Sequence, residues 1–108
     1  MIITYDCDSI TREQLNHILY KIAKMKCNSN IQYRLSALKG YHIKFECKTG
    51  FCEYLRLCYD DPNRVYGDFK RMKNNKQYLC HTLWNCKSIY HKGKLVIRME
   101  ASEWFKYE

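Results

Sequence analysis

The sequence predicts an α+β fold: a ferredoxin-like, split βαβ sheet with an extra C-terminal hairpin strand and its helices on one face. Residues 2–8, 31–37 and 41–47 each alternate apolar and polar side chains, which indicates strands with one buried face. Residues 11–25 and 50–72 carry apolar side chains at helical spacing. Two more alternating segments follow. The order strand, helix, strand, strand, helix, strand, strand is typical of this fold class.

The first strand and the first helix have the clearest signals. Along the strand, Tyr5 and Cys7 point to one face, whereas Asp6 and Asp8 point to the other. The segment Thr11–Gln14 is a capping box, in which the threonine caps the helix and the glutamine reaches back. The apolar stripe that follows consists of Leu15, Ile18, Leu19, Ile22 and Met25. We therefore expect an amphipathic helix directly after the first strand.

The second and third strands are expected to form a hairpin that turns at Gly40. Directly opposed residues of an antiparallel pair lie on the same face, so a two-residue loop would mix the two faces. A three-residue loop ending at Gly40 keeps the faces apart and gives the glycine the left-handed position that such loops need. This loop predicts that Ser36 lies opposite His42, and that Arg34 lies opposite Lys44.

The second half of the chain contains a helical region and two strands. Residues 50–72 are predicted to be helical in two pieces, because Asp61 is a good cap and Pro62 suits the first position of a new helix. Residues 77–84 and 94–102 alternate in the manner of strands, and residues between them extend the first strand or form the turn. The polar face of the sheet is then expected to stay open.

Length and composition bound the class of protein. The chain has 108 residues, of which 46% are hydrophobic, so one domain spanning residues 1–108 is expected. The sequence has no apolar run long enough to cross a membrane, and no basic segment followed by an apolar run at its start. These patterns predict a soluble, intracellular protein in the cytoplasm, without a membrane partner.

The seven cysteines are odd in number, and none belongs to a Cys-x-x-Cys pair. Without a secretion signal, this pattern favours reduced thiols over a disulfide framework. The alternative is a zinc site, whose candidate ligands are Cys47, Cys52, Cys80, His81 and Cys86. Their spacing is not that of a standard structural zinc site.

The net charge is +8, from 19 basic and 11 acidic residues. Such a charge on a small domain predicts attraction to polyanions, of which nucleic acid is the commonest. Ten tyrosines, two tryptophans and four phenylalanines add aromatic rings that can stack on the bases of a single strand. The candidate nucleic-acid-binding residues are Arg34, Ser36, Lys39, His42, Lys44, Lys70, Arg71 and Lys73.

Asp6 and Asp8 are the candidate metal ligands. They lie two residues apart on a strand, so both carboxylates leave the same face and repel each other unless a cation intervenes. Oxygen ligands favour Mg²⁺ or Mn²⁺, with Asp68 as a weaker third candidate. His42, the remaining candidate catalytic residue, would help to hold a phosphate. Alternatively, the two aspartates only end the strand and favour the positive end of the next helix.

These motifs resemble the catalytic core of archaeo-eukaryotic-type primases and primase-polymerases over about residues 1–70. Asp6-Cys7-Asp8 resembles the first acidic motif of that family, and Lys39-Gly40-Tyr41-His42, with Ser36 before it, resembles the second. Asp68 is a candidate for the later acidic residue. The resemblance implies an RRM-like palm, metal-dependent nucleotidyl transfer, or a reduced relative from a mobile element that keeps only nucleic-acid binding.

Three functions follow as hypotheses. The leading one is an RRM-like domain that binds nucleic acid, DNA or RNA with a single strand favoured, in the replication of a mobile element or of an archaeal or viral genome. The alternative is a small, metal-dependent nucleotidyl transferase that resembles a primase-polymerase. The second alternative is a protein-interaction module, for which an exposed hydrophobic sheet face would be the mark.

Overall fold

The computed structural model describes residues 1–37 and 39–107. In chain order its elements are β1 (Ile2–Cys7), α1 (Arg12–Lys24), β2 (Asn28–Leu35), β3 (Tyr41–Cys47), α2 (Phe51–Tyr59), α3 (Pro62–Lys73), a short 3₁₀ helix (Gln77–Leu79), β4 (Cys86–His91), β5 (Lys94–Glu100) and β6 (Phe105–Lys106).

The strands form two antiparallel sheets. The larger sheet has the order β1-β3-β2-β6, and the smaller one consists of β4 and β5. The mixed α+β class is thereby confirmed, and the arrangement is compatible with a ferredoxin-like split βαβ fold. The extra C-terminal hairpin pairs with itself and forms a sheet of its own.

The core lies between the larger sheet and helices α1 and α2. Apolar residues of β1 and β3 meet those of α1, and the buried set is Ile3, Tyr5, Cys7, Leu15, Ile18, Leu19, Ile22, Ile31, Ile43, Phe45, Cys47 and Cys52. The hydroxyl of Tyr5 donates to the carbonyl of Cys52 at 2.9 Å, so the one polar atom that this ring buries is satisfied. Full burial of each large apolar side chain contributes about 1.5–3 kcal/mol.

The helix starts confirm the capping predictions. Thr11 accepts from the backbone of Gln14, whose side chain accepts from the backbone of Thr11, as a capping box requires. Asp61 caps α3 by accepting from the backbone of Asn63 at 3.0 Å, with Pro62 at the first position. Within residues 1–37 and 39–107, no helix is both long and apolar enough to cross a membrane.

The β2–β3 hairpin keeps the predicted faces but not the predicted register. Arg34, not Ser36, lies opposite His42, so the loop is longer than three residues. Because the shift is two residues, every side chain keeps its face. Gly40 has the expected positive φ of 99°. A Cβ there would lie 2.0 Å from the carbonyl oxygen of Cys7, so the loop sits against the end of β1. Leu38, part of the predicted loop, lies outside the described residues.

The strand predicted over residues 77–84 is wrong. Residues 77–79 form the 3₁₀ helix, and β4 begins only at Cys86. The backbone N–H of His81 donates to Asp68 Oδ2 at 3.0 Å, and the hydroxyl of Thr82 donates to the carbonyl of Leu79. Side chains therefore satisfy this segment in place of a strand ladder. The second predicted strand, 94–102, ends two residues early.

The polar face of the larger sheet is not open, contrary to the prediction. Arg34 is 5% exposed and His42 is 4% exposed. Strand β6 pairs with the edge of β2 and brings Trp104 over this face, where its ring lies 4.4 Å from the guanidinium carbon of Arg34. The segment before β4 covers Arg34 from the other side, through the carbonyl of Trp84 and the side chain of Asn85.

Candidate functional site

The outer edge of β1 is closed by side chains, not by another strand. The N–H of Asp6 donates to Asp60 Oδ1 at 2.8 Å, and the N–H of Thr4 donates to His81 Nδ1 at 3.0 Å. The carbonyl of Thr4 accepts from Arg64 Nη1 at 3.1 Å. An edge whose backbone groups are satisfied in this way cannot recruit a further strand. It also fixes Asp6 against the start of α3.

Behind this edge lies a buried ionic network. Arg56 is fully buried, and its guanidinium donates to Asp60 Oδ2 and to Asp68 Oδ2, both at 2.7 Å. Asp68 also accepts from Arg71 at 2.8 Å. Burial would raise the pKa of Asp68, but hydrogen bonds from the backbone of His81 and from Arg56 outweigh it and hold this pKa below its ordinary value. The sequence suggested Asp68 as a third ligand beside Asp6 and Asp8. In the structure Asp68 instead belongs to the ionic network around Arg56.

The spacing of charged residues in the sequence is a signal for this ionic network, although it did not enter the predictions above. Charges of alternating sign follow one another at spacings of three or four residues: Glu53, Arg56, Asp60, Arg64, Asp68 and Arg71. Such spacing places them along one stripe of consecutive helices. The stripe is normally solvated, but here it faces the edge of β1, and its central residues Arg56, Asp60 and Asp68 are buried.

His81 belongs to the same network. A backbone N–H can only donate, so Nδ1 of His81, which accepts from Thr4, carries no proton. Its Nε2 therefore donates to Glu53 Oε1 at 2.6 Å. This hydrogen bond is the main reason that the pKa of Glu53 lies below its ordinary value. Both nitrogens of His81 are thus used, which argues against the zinc role considered from the sequence.

Three carboxylates meet at the end of β1. Asp6, Asp8 and Asp61, which we call the carboxylate cluster, each offer an oxygen atom within 4.8 Å of the others. Burial and the charge of Asp8 raise the pKa of Asp6 to about 6, although Arg64 opposes the shift. Burial and the charge of Asp61 likewise raise the pKa of Asp8. Asp6 Oδ1 is buried and has no hydrogen-bond partner in the described part of the chain.

His42 stands next to the cluster as a neutral side chain. Its Nδ1 accepts from Arg34 Nε at 3.0 Å, so the proton of the ring is on Nε2, which lies 3.6 Å from Asp6 Oδ1. Burial and the charge of Arg34 lower the pKa of His42 to about 4. At neutral pH it therefore offers an N–H donor and not a positive charge. Arg34 is enclosed and is not accessible to a phosphate.

The carboxylate cluster opens into a cleft of about 480 Å³, which we call the carboxylate cleft. It lies between the end of β1, the β2–β3 loop and β4, and its other lining residues include Ser36, Lys39, His42, Trp84, Lys87 and Ser88. The charge of Lys87 partly offsets the raised pKa of Asp8, so this ammonium group lies close to the cluster. Trp84 is 78% exposed, while its backbone is anchored by Arg34.

A second cavity of about 500 Å³ shares Asp6, His42, Asp61 and Trp84 with the carboxylate cleft. It is also lined by Arg64 and Arg71. Basic side chains therefore stand on both sides of the carboxylate cluster. Each of these arginines is paired with a carboxylate, Arg64 with Asp60 and Arg71 with Asp68, both at 2.8 Å.

Three of the residues predicted to contact nucleic acid, Lys44, Lys70 and Lys73, lie outside the carboxylate cleft. Lys44 Nζ lies 4.3 Å from the ring centre of Trp104, on the opposite part of the covered face. Lys70 packs its ammonium over Tyr66 at 4.6 Å, and Lys73 is exposed in the last turn of α3. Ser36 does line the cleft, and its hydroxyl oxygen is buried without a partner among the residues described.

The sequence does not identify three of the cleft residues as site residues. Asp61 is predicted only as a helix cap, and Lys87 has no local signal beyond its charge. Trp84 was placed in the strand that does not form. A carboxylate at a helix start is a common signal, so only the approach of α3 to β1 shows that Asp61 completes the carboxylate cluster.

Comparison with protein-family models, with curated proteins and with solved structures gave no match to the chain. The geometry and the chemistry of the carboxylate cleft are therefore the ground on which a function is proposed.

Proposed function

We propose that the carboxylate cleft binds single-stranded nucleic acid through a divalent cation, Mg²⁺ or Mn²⁺. The observation that carries this proposal is the convergence of Asp6, Asp8 and Asp61 in an open cleft beside basic side chains. Three neighbouring carboxylates are unfavourable without a counter-charge, as the raised pKa of Asp6 reflects. Oxygen donors of this kind suit Mg²⁺ or Mn²⁺, which keep part of their hydration shell and contact phosphates.

The surroundings of the cleft supply the other contacts that a single strand needs. Lys39 and Lys87 line the same cleft as the carboxylates and would neutralise phosphates next to the cation. Trp84 exposes most of its indole at the rim, where a base could stack on it. His42 is only 4% exposed, so its N–H would orient Asp6 and not contact the strand itself. The net charge of +8 favours the approach of any polyanion.

The experiment is fluorescence anisotropy of labelled single- and double-stranded oligonucleotides, over a salt series, with Mn²⁺ or with EDTA. The matched variants are Asp8→Asn and Glu13→Gln, because each removes one negative charge but Glu13 lies on α1, outside the cleft. If the cation bridges to phosphate, Asp8→Asn weakens binding in Mn²⁺ at least tenfold, whereas Glu13→Gln leaves it unchanged.

The direction in which Asp8→Asn changes the oligonucleotide affinity decides between a bridging cation and simple charge repulsion. Without a bridging cation, removal of a negative charge near a phosphate strengthens binding, so a tighter Asp8→Asn complex in Mn²⁺ would refute the proposal. Lys87→Gln should reduce the slope of log affinity against log salt by about 0.7, the value for one phosphate contact on a single strand. Lys21→Gln, an equal change of charge on α1, should not change that slope.

The alternative function is metal-dependent nucleotidyl transfer, as the resemblance to primase-polymerases implies. Asp6, Asp8 and Asp61 would hold the cation, which would supply charge stabilisation to a transferring phosphate. The N–H of His42, which lies 3.6 Å from Asp6 Oδ1, would orient this carboxylate around the cation. Incorporation of labelled nucleotides in Mn²⁺, lost in Asp6→Asn, would support this function. Binding without incorporation would favour a reduced relative, in replication of a mobile, archaeal or viral genome, that only binds.

The protein-interaction alternative is favoured by one observation on the β4–β5 hairpin. This hairpin exposes apolar side chains on both faces, with Ile89, Leu95 and Ile97 on one face and Val96 on the other. The face with three apolar residues is the one that would suit self-association. Light scattering after size exclusion tests it, because a dimer that Ile97→Lys converts to a monomer would support self-association and a monomeric wild type would exclude it.

A further inference from the structure

A second cluster of potential metal ligands lies at the opposite end of β1 from the carboxylate cleft. Cys27 follows α1, Cys47 ends β3 and Cys52 lies in the first turn of α2. The register of the sheet pairs Asn28 with Cys47, which brings Cys27 beside the end of β3. The three Sγ atoms all lie within 4.8 Å of one another.

The distances in this cluster match those of a tetrahedral metal site. A zinc ion bound to thiolates at about 2.3 Å places the sulfur atoms about 3.8 Å apart. The Sγ atoms of Cys27 and Cys47 are 3.9 Å apart. An oxygen ligand at about 2.1 Å would lie about 3.6 Å from each sulfur. Asn28 Oδ1 lies 3.5 Å from the Sγ of Cys27 and 3.2 Å from that of Cys52.

The orientation of Asn28 is fixed from outside the cluster. Its Nδ2 donates to the carbonyl of Ile22 at 3.1 Å, at the end of α1. The amide oxygen is thereby directed towards the sulfur atoms and not away from them. A supporting hydrogen bond of this kind is what holds a ligand in place around a metal ion.

The thiols would lose their protons when the ion binds, because metal ions bind the thiolate and not the thiol. Cys47 is 2% exposed and Cys52 is 0% exposed, so these two ligands would shield the ion from solvent.

We propose that Cys27, Cys47 and Cys52 bind one Zn²⁺ ion, with the amide oxygen of Asn28 at the fourth position. Thiolate ligands select such a borderline-soft ion, whereas the carboxylate cluster selects Mg²⁺ or Mn²⁺. The site would join the end of α1, the end of β3 and the start of α2, so the bound ion would stabilise the fold. Cys27 is only half-buried, which gives the ion a route in.

Titration of the reduced protein with Co²⁺ tests this proposal, since tetrahedral cobalt bound to thiolates absorbs intensely in the visible and near-ultraviolet. We expect one Co²⁺ per chain, displacement by one Zn²⁺, and release of protons on binding. Cys27→Ser should weaken binding by more than the 10–100-fold typical of a supporting residue and, at saturating Co²⁺, reduce the sulfur-to-metal band by about one third, because two of the three thiolates remain. Cys58→Ser, an exposed thiol of the same helix as Cys52, should bind as the wild type does.

Further arms identify the outcomes that overturn the proposal. Circular dichroism of metal-free Cys27→Ser checks that this variant is folded. Asn28→Asp keeps an oxygen ligand at the fourth position, so this second variant should retain the cobalt absorption band. Absence of the band in the wild type, or an unchanged affinity and band intensity in Cys27→Ser, would refute the site. Binding that Asp8→Asn abolishes would place the ion in the carboxylate cleft. Formation of a Cys27–Cys47 disulfide with no metal bound by the reduced protein would also refute it.

Discussion

Replacement of Arg56 with methionine is expected to lower the free energy of unfolding by about 3 kcal/mol. The guanidinium is fully buried, and its loss removes a partner from Asp60 and from Asp68. Loss of one partner from a buried ion pair costs about 3–5 kcal/mol, because a buried charge is left uncompensated. Asp60 keeps Arg64 and Asp68 keeps Arg71, so the lower end of this range applies.

Urea denaturation of Arg56→Met, followed by circular dichroism, measures this loss. With a slope of about 1.5 kcal/mol per molar urea, the midpoint should fall by about 2 M. Arg71→Gln is the matched control, since that side chain is 44% exposed and contacts the same Asp68. It should cost no more than about 1 kcal/mol, as surface pairs do. Equal midpoints for the two variants would refute the burial of this network.

Three other predictions concern the site and the loop beside it. Asp6→Asn should raise the free energy of unfolding at pH 7–8 in EDTA, because it removes a buried negative charge. The gain should fade between pH 6 and 4, since the pKa of Asp6 is about 6 in the folded state and 3.8 in an ordinary carboxyl. A gain in the free energy of unfolding that is equal at pH 4 and pH 8 would contradict this. Trp84→Ala should weaken oligonucleotide binding by about 1–3 kcal/mol in anisotropy, as loss of one stacked base does, whereas the equally exposed Tyr78→Ala should not. Gly40→Ala should destabilise the protein more than Gly93→Ala in thermal melts, because both glycines have positive φ but only a Cβ at Gly40 meets backbone; equal losses would exclude the close approach.

Local sequence patterns predicted the elements of the first two-thirds of the chain. The capping box at Thr11, the restart at Pro62 and the alternation in β1, β2 and β3 each depend on residues a few positions apart. The register of the β2–β3 hairpin was missed by two residues. The alternation of apolar and polar residues could not determine the register, because a shift of two residues leaves every side chain on the same face of the sheet.

The failed prediction over residues 77–84 has a different cause. Alternation there predicted a strand, but the partners of this segment are the backbone N–H and hydroxyl of Thr4 on β1 and the carboxylate of Asp68 on α3, which are distant in sequence. A segment whose hydrogen bonds involve side chains forms no backbone ladder with a neighbouring strand, so its alternating polarity did not indicate a strand. The same segment then covers the polar face, so the prediction of an open sheet failed with it.

The sequence by itself determined the α+β class, the helix caps, the basic net charge and the shared face of Asp6 and Asp8, because each of these depends on composition or on local backbone periodicity. Only the tertiary structure decided that Asp61 completes the carboxylate cluster, that Arg34 and His42 are enclosed, and that the Sγ atoms of three cysteines lie within 4.8 Å of one another. These clusters join residues far apart in the sequence, such as Cys27 with Cys47 and Asp6 with Asp61. Their formation depends on how whole helices and strands pack, and no local pattern along the chain encodes that packing.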